Sequence, residues 1–293
     1  LDRAAAEKAG GVRRESLVVE SLRELAKPHV WVYLLIFSGF WFMFNALFDV
    51  LPAHIDDWVD TSDIVRTLFG TGGTDSEFIK FFVVMNAEGT HIQPEGMLNL
   101  NAGLIMTTCF LFAWVSGKMR ATTSMVVGTL LATVAIFLSG YSSIGWISVF
   151  AILTFSVGEM LSSPKFSEFI GNFAPADKKA MYLGFSQIPL AIGWTLEGWL
   201  GPTLYDVFAS KDLLSRALLK EKGMAANLIE AIPNGEAFQK LVEFTGQTPE
   251  AMTHVLYQAN NVGMVWYIMA IVGLISAAGI YMYGKWILTL HRK

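Results

Sequence analysis

The stretch "IGWISVFAILTFSVGEMLSS" (144–163) runs for 20 residues with one charged side chain, Glu159. A helix needs about 20 apolar residues to cross roughly 30 Å of hydrocarbon, so the stretch predicts a membrane-spanning helix. A charge at the centre of a bilayer costs about 2.5–3.5 kcal/mol on insertion scales, and such a charge usually faces a bundle interior or a wet cavity. Glu159 therefore bears on the fold and on the function together.

The composition of the whole chain agrees with this interpretation. Of 293 residues, 53% are hydrophobic and 16% are charged, whereas soluble domains carry about a quarter charged residues. Six apolar runs are long enough to span a membrane, and they predict an all-α, six-helix transmembrane bundle. The predicted spans are Val30–Leu51, Leu98–Ser116, Thr122–Leu138, Ile144–Ser163, Met181–Leu200 and Val262–Ile287.

Lysines and arginines predict the orientation of this bundle. The segments 1–29, 117–121, 164–180 and 285–293 hold 14 of the 21, whereas the longer connections on the opposite side hold 7. By the positive-inside rule both termini are cytoplasmic. We expect a multi-pass protein of the plasma (inner) membrane with lipid around it. The net charge of −4 gives no reason to expect a nucleic-acid partner.

The remaining segments complete the predicted domain organisation. Residues 1–29 form a cytoplasmic linker in which "RRESLVVESLRELAKP" predicts an amphipathic helix that ends at Pro28. Residues 30–293 form the bundle, with an outer loop at 52–97 and an outer cap of about four short helices at 201–261. The chain begins Leu1-Asp2 without a methionine, which predicts an internal piece of a longer protein or a processed one.

Polar residues inside the spans are the candidates for binding. Ser148, Ser156, Glu159 and Ser163 fall within about 80° of one helix face at 100° per residue, so the carboxylate lies in a polar stripe. A carboxylate there lowers its cost by binding a proton or by pairing with a cation. Proton-coupled transport needs a group that can do either, whereas a permanent ion pair would serve structure alone.

Other spans supply weaker candidates for the same cavity. Asn45 and Asp49 lie one turn apart on the first predicted helix, and Asn101 lies in the first turns of the second. Gln187 and Pro189 interrupt the fifth helix, where a bend is expected. Glu197 lies near the predicted outer end of that helix, so we expect it at the rim of the membrane and not in a site.

Enzymatic chemistry has little support in this sequence. The spans contain no histidine, His54 is expected on the outer side, and the chain lacks a helical HExxH zinc site and a Walker loop. The single cysteine, Cys109, excludes an internal disulfide and a cysteine metal cluster. We predict no enzyme activity, no cofactor and no metal. An intramembrane hydrolase would lack its nucleophile–base pair, and a non-transporting scaffold or receptor with a partner-binding cap is the main alternative.

Four stretches resemble one family of membrane proteins. The stretch "GEMLSSPKFSEFIGNFAPADKKAMYLGFSQIPLAIG" (158–193) resembles helices ten and eleven of the proton-dependent oligopeptide transporters of the major facilitator superfamily. The stretch "SGFWFMFNALF" (38–48) resembles the start of helix seven, and "LNLNAGLI" (98–105) with "WVSGKMR" (114–120) resembles helix eight and the loop after it.

The resemblance implies a function and a site. The chain would be the C-terminal six-helix half of a transporter, joined to an N-terminal half in the same chain or a separate one. Glu159 matches the family glutamate that contacts the amino end of a peptide and is linked to proton coupling, and Asn101 matches an asparagine on the cavity side. We therefore expect proton-coupled symport of a small solute, such as a peptide, with Glu159, Asn45, Asp49, Asn101, Gln187, Ser156 and Ser163 binding substrate or protons.

Overall fold

The fold is all-helical throughout the part of the chain that the computed structural model describes, residues 16–290. Six helices have more than 18 residues: α2 (Pro28–Trp58), α5 (Pro94–Gly117), α6 (Ala121–Ser139), α7 (Gly145–Phe173), α9 (Ile188–Phe208) and α14 (Met264–Leu290). Five of them, all except α9, are long and apolar enough to cross a membrane. The structure is thus that of an all-α membrane protein.

Eight shorter helices connect or flank these. They are α1 (Leu17–Leu25), α3 (Ser62–Phe69), α4 (Glu77–Val83), α8 (Lys179–Phe185), α10 (Lys211–Glu221), α11 (Ala226–Glu230), α12 (Ala237–Thr245) and α13 (Pro249–Ala259). The four short helical patterns predicted within 201–261 are confirmed as α10 to α13. The position of these four helices on the outer side of a membrane stays a prediction.

Two predicted spans differ from the helices that form. Pro164 does not end α7, although proline lacks the N–H that would bond the carbonyl of Met160; the helix continues for nine residues to Phe173. The predicted span Met181–Leu200 corresponds to two helices, α8 and α9, which are separated at Ser186 and Gln187. α9 then continues past Leu200 to Phe208.

Close backbone contacts hold the long helices together. An added Cβ on Gly158 of α7 would lie 2.5 Å from the carbonyl oxygen of Gly128 on α6, and the reverse contact is as short. An added Cβ on Gly193 of α9 would lie 2.7 Å from the backbone nitrogen of Phe42 on α2. Small residues allow helices to approach this closely in membranes, where packing rather than water exclusion drives association.

The buried core lies among α2, α6, α7 and α14, and α5 lies at the edge of the bundle. Phe37 of α2 and Phe166 of α7 stack with ring centroids 4.1 Å apart, and both are fully buried. In contrast, α5 leaves large apolar side chains exposed, and Phe110 is 86% exposed. An exposed apolar helix face of this kind is what a membrane protein presents to lipid or to further helices.

The long connections 52–97 and 201–261 meet at one end of the bundle. Trp58, the last residue of α2, donates its indole N–H to the carbonyl of Ala209 at 2.8 Å. Within the second connection, the Arg216 guanidinium bonds the carbonyls of Ile229, Ile232 and Pro233 at 2.9–3.0 Å. These bonds make the short helices one packed unit.

Candidate functional site

Glu159 is the central residue of α7, 14 residues from either end of the helix. The sequence placed it about five residues from the middle, because the predicted span stopped at Pro164. It follows Gly158 directly, so the backbone at this point is in contact with α6. The Glu159 side chain is half-buried and points to the side of α7 that faces α5.

An asparagine on α5 is the polar partner of this carboxylate. The Asn101 Nδ2 group donates to Glu159 Oε2 at 3.1 Å and to Ser156 Oγ at 3.0 Å. The Ser156 hydroxyl in turn donates to the carbonyl of Ile152 at 2.8 Å. Asn101 and Ser156 are both buried. Three residues predicted from the sequence therefore form one hydrogen-bonded cluster, which we call the α5–α7 cluster.

A groove of about 160 Å³ lies beside the α5–α7 cluster. Glu159 and Ser163 line it from α7, and Cys109 lines it from α5. No lysine, arginine or histidine of the described residues forms an ion pair with Glu159. The carboxylate thus has one amide donor, no basic partner in this part of the chain, and an adjoining space that could admit a ligand group.

Asn45 and Asp49 belong to a different place in the bundle. The Asn45 Nδ2 group donates to Glu197 Oε2 of α9, and Asp49 lies within interaction distance of the same glutamate. These three residues form a second polar cluster, which we call the α2–α9 cluster. The sequence predicted that Asn45 and Asp49 would bind substrate or protons together with Glu159; the structure separates them into this second group.

The expectation that Glu197 lies near the end of its helix was wrong, whereas its depth in a membrane stays a prediction. Glu197 is fully buried. The error came from the helix boundaries, since α9 extends to Phe208 and leaves Glu197 near its middle. Gly201 makes space for the carboxylate, because an added Cβ there would overlap Glu197 Oε1. The signal available in the sequence was the spacing of Glu197 and Gly201, one helical turn apart.

Gln187 joins neither cluster. It is exposed at the break between α8 and α9, and its Nε2 group donates to Ser186 Oγ at 3.4 Å. The predicted interruption of this helix is confirmed, whereas a role for Gln187 in binding stays a prediction.

His54 also differs from its expected position. Because α2 continues to Trp58, His54 lies inside the helix and is fully buried, not in an outer loop. Its ring packs edge-on against Trp266 of α14, with centroids 5.3 Å apart. This contact joins α2 to α14 and lies apart from both clusters.

A third buried acid lies at the end of the bundle where α1 packs. Glu24 accepts bonds from Lys27 at 2.5 Å, Lys178 at 2.8 Å and the Tyr182 hydroxyl at 2.7 Å. Burial alone would raise the pKa of Glu24, but these three donors hold the pKa at about 2. The contact fixes α1 to the segment before α8. Leu17, Val18 and Leu22 on α1 remain exposed, and the positions 13–15 of the predicted amphipathic helix lie outside the described residues.

A cavity of about 680 Å³ lies where the two long connections meet. Asp56, Asp57 and Glu250 line it together with the Lys211 side chain. Burial lowers the pKa of Lys211 although Asp57 lies nearby, and its ammonium group already bonds the carbonyl of Asp57 at 2.8 Å. Among residues 16–290, no group of three or more histidine, cysteine, aspartate or glutamate side chains could hold a metal ion.

The fold and these clusters define an all-α membrane protein with unusually placed carboxylates. No protein-family model matches the chain. Over 132 residues it is 30% identical to a protein named multidrug resistance protein MdtH from Edwardsiella ictaluri (strain 93-146). The match covers 44% of this chain and 33% of that relative, so the chain aligns with about a third of the relative's length. The five long apolar helices support an integral membrane protein.

Proposed function

We propose that this chain is the C-terminal six-helix half of a secondary active transporter of the major facilitator type. In that arrangement the substrate site lies near the bilayer midplane between two halves that rock against each other. Glu159 is the observation that carries the proposal, because it lies at the middle of α7 beside a groove and has no basic partner among the described residues. Besides the five long apolar helices, α8 and α9 together would form the remaining span, which is the fifth in chain order.

The chemistry of the α5–α7 cluster supports proton coupling. An ionised Glu159 has one amide hydrogen bond from Asn101 to offset its burial. It lowers its free energy further by binding a proton or a substrate amine. Because the two ligands compete for one carboxylate, release of one is coupled to binding of the other. The proposed transport is therefore proton-coupled movement of a small organic solute with an amine, for example a peptide.

The direction of transport has two candidates. The resemblance to oligopeptide transporters favours proton symport, whereas the relative named as a multidrug resistance protein favours export of organic molecules. Competition between a proton and an amine for Glu159 alone moves the two in opposite directions, which suits export. Symport would need the proton and the solute to bind at the same time, with one of them at a group other than the Glu159 carboxylate. A non-transporting receptor or scaffold gains nothing from a half-buried acid at a helix centre, and no observation favours that alternative.

The proposed setting is the inner (plasma) membrane with both termini in the cytoplasm. The partners are an N-terminal six-helix half, protons and the solute. The distribution of lysine and arginine supports this orientation, and Lys27 and Lys178 around Glu24 lie at the proposed cytoplasmic end.

Glu159→Gln in the full-length transporter tests the proposal. We expect reconstituted protein to lose solute accumulation driven by an imposed pH gradient, because glutamine keeps the hydrogen bond to Asn101 but cannot exchange a proton. Exchange of solute across the membrane without a gradient should persist in part. Asp206→Asn, an exposed acid on α9 that belongs to neither cluster, is the control. Unchanged gradient-driven accumulation by Glu159→Gln would remove this residue from the mechanism.

A further inference from the structure

The α2–α9 cluster contains a buried acid that the proposed transport cycle does not use. Glu197 is fully buried in the middle of α9, and its Oε1 atom has no hydrogen-bond partner. Asn45 satisfies only the other oxygen, Oε2. An ionised carboxylate with a buried oxygen left without a donor is costly. The Glu197 carboxyl therefore requires either a further hydrogen-bond donor or a proton of its own.

The neighbours of Glu197 restrict what that ligand is. From α2, Asn45 donates to Glu197, and Asp49 lies one helical turn further along the same face of the helix. From α14, no charged side chain is available between Met264 and Gly284. On α9 itself the next charged residue is Asp206, more than two turns away. The described residues thus place no cation at Glu197.

Two ionised carboxylates cannot hydrogen-bond to each other, because each is only an acceptor. One proton changes this, since a protonated carboxyl donates to an ionised partner and removes most of the repulsion. A proton needs no cavity of its own, so a fully buried side chain such as Glu197 can hold one. Asp49 is exposed and Glu197 is fully buried, so of the two carboxyls Asp49 is the one that a proton from outside this helix bundle would meet first.

We propose that Asp49 and Glu197 form a second proton-binding site, in which one proton is shared between the two carboxyls and Asn45 holds Glu197 Oε2 in position. The proton passes from solvent to Asp49 and then to Glu197, with no bond made or broken except those to hydrogen. Because the pair joins α2 to α9, loss of the proton weakens the contact between these helices. The site is independent of Glu159 and rests on the proposed function only for its role in a transport cycle.

Infrared difference spectroscopy of the purified full-length protein in lipid tests proton binding without any transport measurement. We expect a carboxylic-acid carbonyl band that titrates with pH, that Glu197→Gln removes and that Glu159→Gln leaves in place. Glutamine retains the acceptor for Asn45, so we expect this variant to fold, and its thermal unfolding should be checked by tryptophan fluorescence. If Glu197→Gln retains every carboxylic-acid carbonyl band of the wild-type protein, the proposal is overturned.

Asp49→Asn keeps Glu197 and tests the shared proton. Removing the neighbouring carboxylate should make the Glu197 band disappear at a lower pH than in the wild-type protein, because the like charge that favours protonation is gone. Asp206→Asn on α9 is the matched control and should leave the band unchanged. An unchanged titration in Asp49→Asn would show that the two carboxyls do not share a proton. If transport fails to depend on Glu159 while these bands behave as expected, the second site stands without the proposed function.

Discussion

The α5–α7 cluster and the α2–α9 cluster each contain a glutamate near the middle of a long helix, but their surroundings differ. Glu159 is half-buried beside a groove and has a neutral partner, Asn101. Glu197 is fully buried and has a second acid, Asp49, beside it. The first arrangement suits exchange between a proton and a solute, and the second suits retention of a proton. Burial and partners, not residue type, separate the two roles.

The largest expected effect comes from converting the first cluster into a copy of the second. Asn101→Asp replaces the amide donor of Glu159 with a carboxylate, so two acids then face each other. We expect transport near neutral pH to fall at least about tenfold, which corresponds to about 1.4 kcal/mol, with partial recovery at lower pH as one acid becomes protonated. Initial transport rate measured as a function of pH checks this.

Asn99→Asp is the control for that variant, because Asn99 is exposed on the same helix two residues earlier. It should change the rate little at any pH. Equal loss in both variants, or a loss in Asn101→Asp that does not vary with pH, would show that Asn101 does not act through Glu159.

Glycine substitutions at the two clusters should differ in their cost to stability. In Gly158→Ala the new Cβ meets backbone atoms of α6, 2.5 Å from Gly128 O and 2.8 Å from Ala132 N, and overpacking of this kind typically costs about 1–3 kcal/mol. In Gly201→Ala the nearest atom is the end of the Glu197 side chain, which can shift, so the cost should be smaller. Thermal unfolding of the full-length protein in detergent measures both.

Gly198→Ala is the matched control on α9, because no atom lies within 4 Å of the added Cβ. Alanine favours a helix over glycine by about 1 kcal/mol, so this variant should unfold at the same or a higher temperature. The ranking fails if Gly158→Ala is as stable as Gly198→Ala, or if Gly201→Ala is the least stable of the three.

Glu24 supplies the contrasting case, a buried acid with basic partners. Its pKa of about 2 lies below the ordinary 4.5, so its charge stabilises the fold fully above about pH 4.5 and loses this contribution as pH falls toward 2. Glu24→Gln should therefore lower the unfolding temperature near pH 7, and the difference from wild type should narrow over that acidic range. Thermal unfolding measured across pH tests this, and a difference independent of pH would contradict it.

The sequence predicted the helices well where composition alone decides them. The apolar runs gave the long helices. A capping residue followed by a proline also begins α13, where the Thr248 hydroxyl accepts from the Ala251 N–H at 3.3 Å. Boundaries failed at Pro164 and after Leu200, because a proline or a glycine-proline pair within a packed bundle need not end a helix. Those two boundary errors misplaced the depth of Glu159 and the burial of Glu197.

The composition of the clusters could be predicted only in part. Asn101, Ser156 and Glu159 were recognised because they match one helix face or a family motif, and they do meet. Asn45 and Asp49 were assigned to the wrong glutamate, since their partner depends on how α2 crosses α9 at Gly193. That crossing is a contact between residues far apart in the chain, and no local sequence pattern predicts it.

The contact between Gly128 and Gly158 has a mechanical consequence. With their backbones touching, α6 and α7 cannot roll about their own axes or slide past each other without collision. The two helices would move as one rigid body, and the carboxylate next to Gly158 would move with them. A change in the neighbours of that carboxylate must then come from torsions within its own side chain or from displacement of α5, the loosely enclosed helix on the other wall of the groove.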